Sequence, residues 1–221
     1  MKFFEWEPTY RAICDDFGFD PSADDLSVRI LEAVTPMLDL DDEDCLSPLI
    51  GDTVTVIGDS PQLESDLREL PPEGCIISAG SATERVVAAG IRPDIVVTDL
   101  DGPIEAQIGC SRDGAVTLIL AHGDNQDLVR AYAPQFRGKV VLTTQGKPSG
   151  NVLNFGGFTD GDRSVCLARH FGASRIILLG FDFSNPSTKD GSDPQTKLRK
   201  LSWAKRIIFD GAHNDIVHPR R

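Results

Sequence analysis

Little in this 221-residue chain would let it cross a membrane, staple itself with disulfides or hold a nucleic acid. No apolar run approaches the ~20 residues that a bilayer span requires. The opening Met-Lys-Phe-Phe-Glu-Trp-Glu lacks the long apolar stretch of a signal peptide, so a cytoplasmic protein without a membrane partner is expected. The five cysteines (Cys14, Cys45, Cys75, Cys110 and Cys166) are odd in number and far apart. They form no Cys-x-x-Cys and no Cys/His cluster, which argues against zinc and against a disulfide framework. They read as small buried hydrophobes. Lysine is scarce, with 7 Lys and 15 Arg against 25 Asp and 9 Glu, for a net charge of −12. Such a surface repels phosphate backbones and offers no basic stripe, which sets nucleic-acid binding aside. The same charge suits plain solubility or a salt-rich cytoplasm in which counterions screen it.

What the chain does have, from about residue 53 onward, is an alternation of short β-branched runs with amphipathic segments. Candidate strands lie at 53–57, 75–79, 94–98, 117–121, 139–143 and 175–179. Most are continuously apolar, as strands covered on both faces must be. Helical patterns fall at 62–70, 82–90, 124–133, 161–172 and roughly 195–209. Right-handed crossovers then give a mostly parallel, doubly wound (Rossmann-like) α/β sheet of about six strands. Residues 1–50 read differently, with helical patterns near 7–17 and 22–38 and an acidic stretch at 39–44. They form an N-terminal helical extension packed on the core of an α/β catalytic domain over 51–221, being too short to bury much by themselves. These helices could supply an interface in a homo-oligomer. The segment 185–195, rich in Asp, Ser, Gly and Pro, reads as a mobile loop.

Ligands of open α/β sheets bind beyond the carboxyl ends of the strands, and acids accumulate there in this sequence. The run 94–102 delivers Asp99 and Asp101 with Gly102 after them; on a strand, residues at i and i+2 share a face and can share one hard cation. His122, Gly123, Asp124 and Asn125 follow the strand at 117–121, where Asp124 or Asn125 can also simply cap the next helix. Asp182 follows the last strand and suits an Asx turn. Gly156, Gly157, Thr159, Asp160, Gly161, Asp162 and Arg163 form the most unusual stretch. Paired glycines let backbone approach a ligand, and Thr159 with Asp162 resembles a capping box. The helix start favours an anion, and Arg163 carries a planar donor fork suited to phosphate oxygens. Capping explains Thr159 and one acid; it does not explain both Asp160 and Asp162 beside an arginine. So many acids on one edge call for a cation. Mg²⁺ is the natural one, since it takes one or two carboxylates and fills its octahedron with waters and phosphates. Gly146-Lys147-Pro148 is not a phosphate loop of the Walker type, and Val56–Pro61 does not continue as Gly-x-Gly-x-x-Gly, though Gly58 and Ser60 could cradle a phosphate or a ribose.

Four strings in order, Thr-Asp-Leu-Asp-Gly (98–102), His-Gly-Asp-Asn (122–125), Gly-Phe-Thr-Asp-Gly-Asp-Arg (157–163) and Gly-Phe-Asp-Phe (180–183), resemble the archaeal 6-hydroxymethyl-7,8-dihydropterin diphosphokinases. That family is similar in fold to the catalytic domain of thiamine diphosphokinases. The likeness spans roughly residues 50–210. It implies Mg²⁺-dependent transfer of a diphosphoryl group from ATP to a pterin alcohol, giving AMP, on the way to tetrahydromethanopterin or a folate-type cofactor. Asp99 and Asp101 would hold Mg²⁺, with Asp124 and Arg163 completing the catalytic set. Asp160 or Asp162 would add ligands or pterin contacts, the backbone of 156–161 would neutralise transferred oxygens, and Lys197 and Lys200 would close over the phosphates. The turn at 58–61, Gly-Asp-Ser-Pro, is less glycine-rich than the resemblance leads one to expect. Rival readings are thiamine or another alcohol as acceptor, a haloacid-dehalogenase-type phosphatase with Asp99 as nucleophile, and a non-catalytic nucleotide-binding module. The phosphatase motif normally lies on the first strand and continues with Thr or Ser, whereas here it lies on about the third and continues with Pro103.

Overall fold

The computed structural model describes residues 2–185, 193–211 and 213–219, so most of the loop expected at 185–195 lies outside the described residues. Its frame is a parallel sheet whose long strands are β2 (Thr53–Ile57), β3 (Cys75–Ala79), β4 (Ile95–Thr98), β5 (Val116–Ala121), β6 (Lys139–Thr144) and β8 (Arg175–Leu179). These are the six runs read from the sequence. Three two-residue strands, β1 (Asp39–Leu40), β7 (Val152–Leu153) and β9 (Ile216–Val217), extend its edges, so the described sheet has nine strands rather than six. β1 pairs with Lys139 and Val140 of β6, which ties the acidic stretch after the N-terminal helices into the sheet.

The order β1-β6-β5-β4-β3-β2-β8-β9 fixes where a ligand can enter. From β2 the chain steps outward as far as β6 and then returns to lay β8 on the other side of β2. The return is made by α7 (Asp160–His170), which packs across β2, β3 and β4. Strand connections therefore diverge between β2 and β8, and a crevice opens at such a point beyond the carboxyl ends.

Alternate residues of each strand feed opposite faces. Val54 and Val56 of β2, Ile77 of β3 and Leu178 of β8 join Val165 and Leu167 of α7 in the core on one side. On the other side Ile57, Ile177 and Leu179 meet α3 (Leu63–Glu69) and α4 (Thr83–Ala88), and Ile119, Val140 and Leu142 meet α2 (Pro21–Val34), α5 (Ile104–Arg112) and α6 (Gln126–Tyr132). All five cysteines are buried and free, as expected. The helix α5 has no counterpart in the sequence reading. Its stretch Ile-Glu-Ala-Gln-Ile-Gly-Cys-Ser-Arg carries Gly109 and Ser111, both poor helix formers, and a buried Gln107 breaks its apolar stripe. The helix forms because tertiary contacts of Ile104 and Ile108 override that weak local preference.

The first N-terminal helix, α1 (Phe3–Phe17), is held differently from α2, whose Val28 and Leu31 join the main core. Trp6, Tyr10, Ile13 and Cys14 of α1 gather around Phe158 with Phe17, Trp203 and Ile207, apart from the main cores. The last long helix, α8 (Pro194–Phe209), clasps α1 through Arg199 and Trp203. Among the described residues no helix is long and apolar enough to cross a membrane.

Candidate active site

The loops leaving β2, β3, β4, β5 and β8 line one cleft of about 490 Å³, closed from outside by α1, the start of α2 and α8. Asp99, Asp101, Asp124 and Asp160 all reach it, as do Ser60, His122, Thr159, Asp182, Lys197 and Lys200.

Asp99 and Asp101 come together by a route the strand pattern does not give. β4 ends at Thr98, so alternation along a strand cannot align them. Leu100 instead adopts a left-handed backbone, φ 70°, and sinks its side chain into the core beside Ile104 and Ile119. That conformation costs a leucine about 1–2 kcal/mol, supplied by burial of the side chain and by the bonds around it. The Leu100 N–H donates to Thr98 Oγ1 at 2.8 Å, and Thr98 Oγ1 donates to Gln107 Oε1 at 2.6 Å. Gln107 Nε2 in turn donates to the Asp101 carbonyl at 2.8 Å. Gln107 of α5 thus clamps the loop at both ends, and the Asp101 N–H reaches back to Asp99 Oδ1 at 3.3 Å.

Asp160, first residue of α7, meets this loop from the opposite side. Burial, followed by the nearby charges of Asp99 and Asp101, holds its carboxyl well above the usual carboxylate range, although Arg163 pulls the other way. Its Oδ1 is buried without a hydrogen bond, 3.8 Å from Arg163 Nη1, which is equally unbonded. The end of β3 leaves room for it: a Cβ on Gly80 would stand 2.7 Å from Thr98 Oγ1 and 3.1 Å from Asp160 Oδ2. His122 completes this group, with Nε2 3.7 Å from Asp99 Oδ2. Asp124 lies exposed on the rim, its N–H 3.4 Å from His122 Nδ1.

Several residues expected at the ligand are turned elsewhere. Arg163 does not line the cleft: it is 5% exposed, stands 3.8 Å from Asp160, and donates from Nη2 to Thr143 Oγ1 at 2.6 Å. Asp162 is fully buried and accepts from the Phe158 and Thr159 N–H groups and from Thr159 Oγ1, which leaves it a capping residue. Gly156 and Gly157 are set back from the cleft, and a Cβ on Gly157 would come within 2.5 Å of Arg163 Cα, so this glycine serves loop-to-helix packing. Asn125 is also withdrawn: its Nδ2 donates to the Asp99 and Leu120 carbonyls and its Oδ1 accepts from the His122 N–H, bracing two loops against each other. Gly58 lines the cleft, yet its lack of a Cβ answers to the Gly180 carbonyl, which a Cβ would approach to 2.8 Å. Asp182 forms the Asx turn, accepting from Ser184 and Asn185, and also takes Gln62 Nε2 at 2.9 Å.

The structure adds residues that no local string announced. Asp24 of α2 is 8% exposed and lines the cleft. The Tyr10 hydroxyl donates to its Oδ2 at 2.6 Å and the Gly123 N–H to its Oδ1 at 2.7 Å. Burial raises its carboxyl above the usual range, although both bonds and His122 act to lower it. Ile13, Phe19 and Phe158 form the apolar wall beside it. One signal was present: Asp24 shares the buried face of α2 with Val28 and Leu31, at i+4 and i+7, where a carboxylate is out of place.

Asp99, Asp101 and Asp160 are hard oxygen donors, and the unbonded Asp160 oxygen with its raised carboxyl fits a hard cation held among them. Among the described residues no three His, Cys, Asp or Glu side chains are gathered into a ready cation cage.

The fold and its cleft define a doubly wound α/β protein with an acid-lined cleft at the carboxyl edge of the sheet. Residues 30–188 match the family described as 6-hydroxymethylpterin diphosphokinase MptE-like. Over 224 residues the chain is 41% identical to the 6-hydroxymethyl-7,8-dihydropterin pyrophosphokinase of Methanothermobacter thermautotrophicus, covering 94% of each. It is 36% identical to the proteins of that name from Methanocaldococcus jannaschii, covering 94% of this chain and 95% of the relative, and Pyrococcus furiosus, covering 94% and 93%. The chain belongs to the MptE-like family, a family of diphosphotransferases.

Proposed function

We propose that the protein transfers the diphosphoryl group of ATP to the hydroxymethyl oxygen of 6-hydroxymethyl-7,8-dihydropterin, releasing AMP, in the making of tetrahydromethanopterin or a folate-type cofactor. The observation that carries this reading is the meeting of Asp99, Asp101 and Asp160 in a cleft that also holds Lys197 and Lys200. Carboxylates without cations would repel a triphosphate. With Mg²⁺ held by Asp99 and Asp101, the ion would neutralise phosphate oxygens as charge moves between them. Family membership and the pterin-directed names of the relatives support the acceptor.

The chain's own residues then do three things. The backbone N–H groups at the start of α7, with Lys197 and Lys200, bind phosphate oxygens. The Gln107 clamp keeps the Asp99–Asp101 loop in its strained form, so the acids need no rearrangement when substrate arrives. The cleft walls align the hydroxymethyl oxygen with the β-phosphorus: the new oxygen–phosphorus bond forms there, the hydroxyl proton is released to water, the bond from the β-phosphorus to the oxygen bridging to the α-phosphate breaks, and AMP leaves. Little covalent work falls to the protein, and positioning supplies most of the acceleration. Incubation with ATP, Mg²⁺ and the hydroxymethyl dihydropterin should yield AMP and the pterin diphosphate. ADP would mean an ordinary kinase and free phosphate a phosphatase, and either would overturn the reading.

A further inference from the structure

Asp24 stands apart from the acids of the sheet edge. It comes from α2, is nearly buried, and among the described residues no lysine or arginine pairs with it. Its two oxygens are held in place by a hydroxyl and a backbone N–H, from Tyr10 and Gly123. A carboxylate has about four lone-pair positions, so two remain after these bonds. Ile13, Phe19 and Phe158 line the same cleft, with Lys200 Nζ 5.8 Å from the centre of the Phe158 ring. Burying such a carboxylate is costly, and a ligand with matching donors lowers that cost.

A flat ring lying against this aromatic wall, presenting two adjacent N–H donors to both oxygens of a fixed carboxylate, fits this corner. The 2-amino-4-oxo edge of a pterin offers that pair, the ring N3–H and the exocyclic amine. Adenine does not, because its amine sits beside ring nitrogens that only accept, and two acceptors would face each other. We infer that Asp24 reads the 2-amino-4-oxo edge of the acceptor, with the heterocycle lying against the Phe19–Phe158 wall of the cleft. The nucleoside of the donor is then left to the opposite end, between the turns at Gly58–Ser60 and Phe181–Phe183. This inference rests on the diphosphokinase reading and sharpens it by assigning the two ends of the cleft. The β5–α6 turn couples them, since His122 lies at Asp99 while the next residue, Gly123, holds Asp24.

The test exchanges one donor for one acceptor on each side. Asp24→Asn keeps the shape and can still bond Tyr10 and Gly123, but offers one acceptor and one donor. It should raise KM for 6-hydroxymethyl-7,8-dihydropterin roughly 30-fold or more, with KM for ATP within about twofold of wild type. With the 2-oxo analogue of the pterin, in which the amine becomes a carbonyl, the order should reverse, so that the variant uses the analogue better than the pterin. Unaltered pterin KM, equal losses on both acceptors, or a rise in donor KM instead would overturn the assignment; the last, seen with GTP as donor, would mean that Asp24 reads a guanine. Should the variant fail to fold, wild type alone decides: it must favour the amino over the oxo compound by roughly 30-fold, and equal use would sink the inference. Absence of AMP from wild type with the pterin is a separate result, which would remove the diphosphokinase reading itself.

Discussion

The carboxyl edge of the sheet and the N-terminal helical pair line the same cleft, but they hold their functional groups by opposite means. At the edge, acids arrive on loops of a few residues whose own strands and turns aim them: Asp99 and Asp101 share one loop, and Asp160 opens the helix that crosses that strand. In the helical pair, position is set across great chain distances. The Trp6 indole donates to the Gln145 carbonyl 139 residues away, and Asp24 meets Gly123 99 residues away. The edge gathers several acids, whereas the helices carry rings and the sheltered carboxylate of Asp24. On the proposed reading this difference would divide the labour of transfer, with phosphate handled where backbone geometry is rigid and the ring selected by a wall added from outside the sheet.

The largest effect should come from the edge. Asp99→Asn or Asp101→Asn is expected to lower kcat by roughly 10²–10³, the scale on which loss of one charge-stabilising group acts, with the melting temperature held or raised. Full activity in the double variant would break the division at its centre. Asp160→Asn should also cost activity but differ in stability. Because folding raises this carboxyl above its ordinary value, the folded form favours the protonated state, and stability falls as pH climbs from about 4 toward that raised value. Asparagine escapes that loss. The variant should melt higher than wild type at neutral pH, roughly 2–4 °C for each kcal/mol relieved, and the two should converge in acid. A variant that melts lower at neutral pH would show that the three acids do not strain one another.

The helical side should answer more gently and on one substrate only. Tyr10→Phe removes the hydroxyl that donates to Asp24 and leaves the ring in the wall. Loss of one such bond to a charged group, where water can partly replace it, predicts a rise of about fivefold to tenfold in KM for the pterin, with kcat and the ATP KM little changed. An equal rise in the ATP KM would erase the contrast between the two ends.

How much could be read in the sequence follows the same division. The six long strands were legible because buried parallel strands are continuous apolar runs, and the acids were legible because they sit directly after those runs. The capping box of Thr159 and Asp162 was legible too, since its bonds span three residues. Its consequence was not: the same spacing that revealed Asp162 also spends its carboxylate on the loop. Arg163 shows a further limit, because a residue's side of its helix depends on what packs above it, and Thr143 with Asp160 draws this guanidinium inward. Gln107 was hidden in a helix of weak local preference, and Asp24 in a pair of helices whose partners lie far along the chain. Local patterns disclose what strands deliver; they are silent on what distant elements assemble.

The smallest effect tests whether the added wall is fastened to the phosphate side. Asp16 of α1 accepts from Trp203 Nε1 at 2.8 Å and pairs with Arg199 at 2.9 Å, while Arg199 lies 4.5 Å from the centre of the Phe17 ring. Through this clasp α1, which carries Tyr10, is joined to α8, which carries Lys197 and Lys200. Asp16→Asn keeps a weaker bond to the indole and loses the ion pair. Since exposed pairs contribute little and salt screens them, KM for both substrates should rise together by no more than about threefold in dilute buffer. The difference from wild type should vanish in strong KCl. Folding holds the Asp16 carboxyl below the usual range, chiefly through the Trp203 and Arg199 bonds, so its contribution is present above the ordinary carboxylate value and is lost as pH falls through the lowered one. A rise confined to the pterin would mean that the clasp serves only the helical wall, whereas a joint rise that disappears with salt ties ring selection and phosphate binding to one closing surface.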